Sequence, residues 1–226
     1  MVTGATGNLG RAVARAFGEL GANLVLFGHR REALVSAFGG EGAQRMFAPA
    51  DLLDQRKVDA IMRVAIERFG RIDVLCNIAG GFRMGTPVHA TSDDDWNFML
   101  DVNVRTLLNC VRAVVPLMIE AGGGKIVNVG AASAQRGVAN MGAYCAAKSA
   151  VIRITESMAA ELRDKNVNVN CVLPTIIDTP ENRAAMPGAD PARWVAPEDL
   201  AKVIVFLASP DSRAIHGAAI SVPALS

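Results

Sequence analysis

The sequence predicts an α/β fold, one doubly wound parallel sheet with helices on both faces. Three observations predict it. Short apolar, β-branched segments alternate with longer stretches of helical period, and strand–helix alternation with right-handed crossovers builds such a sheet. The short segments are almost continuously apolar rather than alternating, as strands are when helices cover both of their faces. A glycine-rich stretch, Thr3 to Gly10, stands where a first strand would turn into a first helix.

Taken in chain order, the first strand is the weakest element. Only Met1 and Val2 precede the turn at Thr3-Gly4, so a strand expected in mid-sheet is stubby, as a shortened amino terminus would leave it. The further strands are expected at Asn23–Phe27, Arg45–Ala48, Ile72–Cys76, Lys125–Val129, Val167–Leu173 and Ala218–Val222. Helices are expected at Leu9–Leu20, Arg31–Phe38, Gln55–Phe69, Asp93–Glu120, Gly142–Arg163 and Pro197–Ala208. Thr91-Ser92 followed by Asp93-Asp94-Asp95 suits a helix start, with a hydroxyl cap and acids at the positive end of the dipole.

Composition narrows the function classes. The 226 residues predict one domain, residues 1–226. Lysine plus arginine, 23, nearly cancels aspartate plus glutamate, 22, so no nucleic-acid footprint is expected. The apolar runs Ala113–Ile119 and Val203–Ala208 fall short of a bilayer span, and no export signal opens the chain. Cys76, Cys110, Cys145 and Cys171 form no CxxC pair and read as reduced thiols of a cytoplasmic protein. His29, His89 and His216 are too scattered to suggest a metal site.

The glycine-rich stretch is where chemistry enters. Glycines there allow a tight turn and a close approach to a pyrophosphate, whose charge the free amides of a helix start can meet. Thr3, Gly4, Thr6, Asn8, Leu9 and Gly10 are therefore candidate cofactor contacts. The strict G-x-G-x-x-G spacing is absent, and an ordinary glycine turn is the plainer reading of the motif alone. About 20 residues past such a turn, a dinucleotide fold places the residue that reads the ribose. Here the second strand ends in His29-Arg30-Arg31, with no acid before Glu32. Guanidinium groups at that point suit a 2′-phosphate, so NADP(H) is expected over NAD(H), which is the alternative.

The chain has a single tyrosine, Tyr144, four residues ahead of Lys148. That spacing puts both side chains on one helical face. A free phenol titrates near 10, and a neighbouring ammonium would lower that value. Such a pair can exchange a proton with a carbonyl or alcohol oxygen while a nicotinamide exchanges hydride at the carbon.

These residues together resemble a short-chain dehydrogenase/reductase over essentially the whole chain. The resemblance rests on Thr3-Gly4-Ala5 with Gly10, Asp51-Leu52, Asn77-Ile78-Ala79-Gly80, Asn103, Tyr144 with Lys148, and Pro174 followed by Thr179. It implies a seven-stranded Rossmann-type sheet in the order 3-2-1-4-5-6-7. It implies that Asp51 and Leu52 contact the adenine region and that Asn77, Ala79 and Gly80 line the cofactor groove. Pro174, Ile177 and Thr179 would border the nicotinamide, Lys148 would bind its ribose, and Asn103 would hold a water in a proton relay. It further implies a homodimer or homotetramer through Asp93–Glu120 and Gly142–Arg163.

The departures are as informative. The family usually has a serine thirteen residues before the tyrosine, and here that residue is Ala131. Ser133 is the candidate substitute. Loss of such an oxyanion donor costs about 2.7–4 kcal/mol of transition-state stabilisation. Asn8 replaces a glycine, Ile78 an asparagine and Thr175 a glycine. Quinonoid dihydropteridine reductases also carry alanine at the serine position, and Gly80-Gly81-Phe82 and Asp178–Arg183 are similar to their segments. A quinonoid pterin is an electron acceptor that needs little polarisation. Those enzymes prefer NADH and carry an acid after the second strand, which this chain lacks.

On the substrate side, Thr179–Trp194 reads as a short ordered lid or a plain surface loop. Phe82, Met84, Met141, Met186 and Trp194 are candidate pocket walls, and Arg83 and Arg183 are candidate contacts for an anionic substrate. The expected function is hydride transfer between NADP(H) and a small carbonyl, alcohol or pterin-like molecule. The alternative is a dinucleotide-binding regulatory or scaffold protein with weakened chemistry.

Overall fold

The computed structural model describes residues 1–225. In chain order it contains α1 (Asn8–Glu19), β1 (Leu24–Gly28), α2 (Arg31–Phe38), β2 (Arg45–Pro49), α3 (Gln55–Phe69) and β3 (Val74–Asn77). There follow α4 (Asp93–Leu100), α5 (Thr106–Glu120), β4 (Gly124–Val129), α6 (Gly142–Leu162), β5 (Val167–Pro174), α7 (Pro180–Ala185), α8 (Pro197–Ala208) and β6 (Ala219–Val222).

Every strand pairing is parallel. The strands fall into β1-β2 and β3-β4-β5-β6, and Val2 joins the two groups through parallel bridges to Leu26 and Cys76. Its amide donates to the Val25 carbonyl and its carbonyl accepts from the Phe27 amide, both at 2.9 Å. The order is therefore β2-β1-Val2-β3-β4-β5-β6, the 3-2-1-4-5-6-7 arrangement with its first strand reduced to one bridging residue. The near-continuous apolar strands bury both faces, and β1 is buried along its whole length. One face is covered by α3, α5 and α6, where Val58, Val114 and Val151 meet Leu75 and Ile126. On the other, Val13 of α1 and Leu200 and Ile204 of α8 meet Leu26, Cys76 and Val127.

Helix starts follow local chemistry. The Asp54 carboxylate caps α3, accepting from the Arg56 and Lys57 amides. Ser92 caps α4, accepting from the Asp95 amide at 3.1 Å, so the acidic run does serve a helix start. α1 differs, because its cap is Gly7 and no side chain meets its first amides.

The expected single helix over 93–120 is interrupted. A π turn, Asp101–Arg105, separates α4 from α5 and carries Asn103. By length and composition, Asp93–Glu120 is also apolar enough to cross a bilayer, with a mean hydropathy of 1.4 over its best window. Uninterrupted apolar runs do not register this stretch, because polar residues are scattered through it. Its Leu107, Cys110, Val114 and Met118 are packed into the core. All four cysteines are buried and unpaired.

Candidate active site

A cavity of ≈ 1350 Å³ opens at the carboxyl end of the sheet, where doubly wound folds bind ligands. The glycine-rich turn enters it from one side, and the start of α6 from the other. Its volume exceeds the roughly 300–1,000 Å³ of a drug-sized pocket, leaving room for a dinucleotide beside a small substrate.

The nucleotide end is built from main chain. Gly4 has φ 60°, a conformation that favours glycine, and a Cβ there would lie 2.9 Å from the backbone of Ala79. A Cβ on Gly10 would press into the Gly4 carbonyl oxygen and lie 2.8 Å from Ala5 Cα. The turn is thus as close to α1 as a chain can pass. The start of α1 has no side-chain cap and no acid in its own first turn, and the one carboxylate near it, Glu181, is engaged by the Asn8 side chain at 2.9 Å. A cradle that any Cβ would fill, at a free helix start, fits a pyrophosphate.

Thr3 is buried and does not reach the cavity; its hydroxyl accepts from the Ile78 and Ala79 amides at 2.9 and 3.0 Å, pinning the turn after β3. Thr6, Asn8 and Leu9 line the cavity, as do Asp51 and Leu52 at the far end. The Asn109 side chain on α5 donates to the Leu52 carbonyl at 2.9 Å and fixes that wall. Asn77 lies beneath the groove, its side chain donating to Asn128 Oδ1 at 2.9 Å, while Ala79 and Gly80 line it. Beyond β1, His29 lines the cavity. Arg30 is exposed at the start of α2, and Arg31 is turned into an ion pair with Glu41.

The reacting end is built from side chains on α6 and the turn after β4. Tyr144, Lys148, Ala131 and Ser133 all line the cavity. The Ser149 hydroxyl donates to the Ala134 carbonyl at 2.7 Å, tying the 3₁₀ turn Ala132–Gln135 to the helix that carries Tyr144. The Phe82 and Tyr144 rings meet edge to face, centroids 4.8 Å apart. The Lys148 ammonium donates to the Val129 carbonyl at 2.8 Å, and burial pushes its pKa down to about 8. Asn103 Oδ1 and Lys148 Nζ approach the same spot, since a Cβ on Gly80 would lie 2.9 and 3.3 Å from them. The Asn103 side chain is engaged with Gly81 and Met99. Pro174, Ile177 and Thr179 line the cavity too, and the Thr179 hydroxyl caps α7.

Several expectations are corrected. Tyr144 is not lowered by Lys148: burial, with some help from Cys145, pushes the phenol up to about 12. The reason is that the ammonium is itself desolvated and directed at Val129. Trp194 is buried outside the cavity, whereas Phe82, Met84, Met141 and Met186 do line it. Arg83 pairs with Asp95 at 2.8 Å and stacks on Phe98, and Arg183 holds Asp178 through two bonds of 2.6 and 2.7 Å. Both charges are already matched. Of 179–194, Thr179, Asn182 and Met186 border the cavity, and Glu181 accepts from Asn8 at 2.9 Å across its mouth.

Sequence reasoning missed Asn109 and the buried chain Asn77–Asn128–Thr155, whose second link is 2.9 Å. A polar residue inside an otherwise apolar strand or helix was the available signal in each case.

The family model described as short chain dehydrogenase matches residues 1–189. A D-threitol dehydrogenase of Mycolicibacterium smegmatis is 36% identical over 96% of this chain and 88% of its own. Two solved structures share the fold closely. ElxO with NADP bound has a TM-score of 0.91 at 26% identity, covering 98% of this chain and 95% of that one. NAD+-bound xylitol dehydrogenase has a TM-score of 0.89 at 28% identity, with the same coverage.

Proposed function

The chain belongs to the short-chain dehydrogenase family, and we propose that within it the protein is an NADP(H)-dependent reductase of small carbonyl compounds, with Tyr144 as acid/base. The observation that carries this reading is convergence: Tyr144 and Lys148 line the same cavity that the glycine cradle enters. Relatives named for threitol and xylitol support alcohol and carbonyl chemistry.

The nicotinamide, when bound, supplies the hydride that reaches the carbonyl carbon. Tyr144 supplies the proton to the carbonyl oxygen. With its pKa pushed up to about 12, the phenol holds that proton at neutral pH, which suits reduction. Lys148, with a pKa of about 8, is largely an ammonium at pH 7; it is anchored on the Val129 carbonyl at the cavity wall and is the group that would bind the nicotinamide ribose. The glycine cradle and the start of α1 would hold the pyrophosphate, and Asp51 and Leu52 would border the adenine. NADP(H) is favoured because no acid ends β1, His29 lines the cavity and Arg30 is exposed beside it. Arg31, paired with Glu41, contributes less to that preference.

Ala131 offers the substrate oxygen no donor, so polarisation falls to Tyr144, assisted by Ser133 if its hydroxyl turns inward. An electron-poor substrate tolerates this best, and that favours a quinonoid pterin as the second reading. A homodimer or homotetramer is proposed on the exposed Phe98, Leu100 and Ile119 of α4 and α5, and size-exclusion chromatography tests it.

NADPH oxidation across a panel of carbonyls and a quinonoid pterin tests the function. Tyr144→Phe is expected to lower turnover about 10²–10⁴-fold while leaving NADPH binding intact. If wild type and Tyr144→Phe share one negligible rate on every substrate, the catalytic reading fails and a binding or scaffold role takes its place. A KM for NADH well below that for NADPH would reverse the cofactor assignment.

A further inference from the structure

The cations around the substrate end are unequal. Arg11 donates to the Thr6 carbonyl at 2.8 Å, Arg83 pairs with Asp95, and Arg183 pairs with Asp178. Arg136 has no hydrogen bond, ion pair or ring contact among the described residues, yet it lines the cavity. It directly follows the 3₁₀ turn Ala132–Gln135, with extended backbone at φ −155° and ψ 158°. That turn is tied to α6 by the Ser149–Ala134 bond, which keeps the main chain leading into Arg136 close to the helix that carries Tyr144. No free carboxylate balances it. Of the two acids lining the cavity, Asp101 is held by Arg105 at 2.7 Å, and Asp51 lies at the adenine end, bonded to the Leu53 amide. Val138, Met141 and Phe82 supply apolar wall to the same cavity that Arg136 and Tyr144 line.

We propose that Arg136 is a specificity-determining residue that pairs with a carboxylate of the substrate, so that the preferred substrates are oxo acids: a carbonyl, an apolar middle and a distal carboxylate. This deepens the reductase reading and rests on it for turnover. Arg136 is exposed at the cavity rim, and its guanidinium presents a planar fork that a carboxylate matches. A neutral ketone of the same shape would fill the apolar wall and leave Arg136 in water.

The test compares levulinate and its longer homologues with their methyl esters, in wild type, Arg136→Gln and Arg136→Lys. Wild type is expected to favour the acids in kcat/KM by about ten- to hundredfold, as a charge-assisted pair would give. Arg136→Gln should erase that preference and leave the esters unchanged, whereas Arg136→Lys should keep part of it. Added salt should narrow the gap in wild type. Binding is read in parallel by calorimetry, with hexanoate against hexanamide on the NADP+-loaded protein. A preference for hexanoate that vanishes in Arg136→Gln supports the proposal even if no ketone turns over, in which case only the reductase reading fails. Equal binding of acid and amide in wild type, or an acid preference that survives Arg136→Gln, overturns it.

Discussion

The two ends of the cavity are made of different material. At the nucleotide end the surface is backbone: Gly4 and Gly10 leave no room for a methyl group, and the buried Thr3 hydroxyl fastens the turn after β3. At the substrate end the surface is side chain, and much of it is loosely held, with Phe82 52% and Met84 58% exposed. A main-chain surface recognises what every dinucleotide shares. A side-chain surface can be rewritten without disturbing the sheet, which is why loops on a rigid scaffold carry specificity.

One substitution, glycine to alanine, placed at each end breaks or sharpens this contrast. Gly10→Ala should have the largest effect. The added carbon meets fixed backbone, so we expect a loss of about 1–3 kcal/mol or more of stability together with cofactor binding. Thermal denaturation and a fluorescence titration with NADPH measure both. Retention of wild-type Tm and affinity would remove the idea that main-chain closeness defines this end.

Lys148 lies at the seam, and its effect should be intermediate and pH-dependent. Its folded pKa of about 8 lies below the ordinary 10.5, so between these values the unfolded chain binds the proton and the folded one does not. Stability from this group therefore rises with pH across that window, by about 1.4 kcal/mol per unit at most. Raised thiols at Cys76, Cys110 and Cys171, and the raised Tyr144 phenol, act in the opposite sense at alkaline pH. The informative quantity is thus the wild-type curve minus that of Lys148→Met, from urea denaturation at pH 7 to 10. A flat difference would show that the ammonium is not desolvated. Turnover should fall in Lys148→Met throughout.

Gly137→Ala completes the set as the smallest effect. No atom lies within 4 Å of a Cβ there, so stability should change by less than about 0.5 kcal/mol. A large loss would mean that the turn bearing Arg136 is as tightly built as the nucleotide end.

The sequence made the fold legible because buried parallel strands are rich in apolar, β-branched residues: the expected Val167–Leu173 and Asn23–Phe27 are strands at Val167–Pro174 and Leu24–Gly28. The site was legible where a residue type is itself the signal, as with the lone Tyr144 or the glycines of the turn. It was illegible where the answer depends on partners. Nothing in Arg83, Arg183 or Arg31 announces Asp95, Asp178 or Glu41, the partners that neutralise them. The sign of the Tyr144 shift likewise depends on burial against Phe82, a residue far away in sequence. Spacing alone suggested the ammonium would dominate, and desolvation dominates instead.

The π turn at Asp101–Arg105 has one more consequence, for how the chain tolerates deletions. An α-helix advances about 100° per residue, and a π turn takes up one extra residue locally between two α-helical stretches. Upstream of it Met99 points at Ala143 and Ala147 of α6; downstream Leu107 and Val114 point into the core, and Asn109 at the wall beside Leu52. Removing a single residue from 101–105 would leave a sound helix. Because the π turn already takes up one extra residue, the flanking faces would keep their phase, with Met99 still against α6 and Leu107 still in the core. The loss would be local: Asn103, which the π turn sets against Gly81 beside Lys148, would give up its place while the rest of the helix stayed where it is.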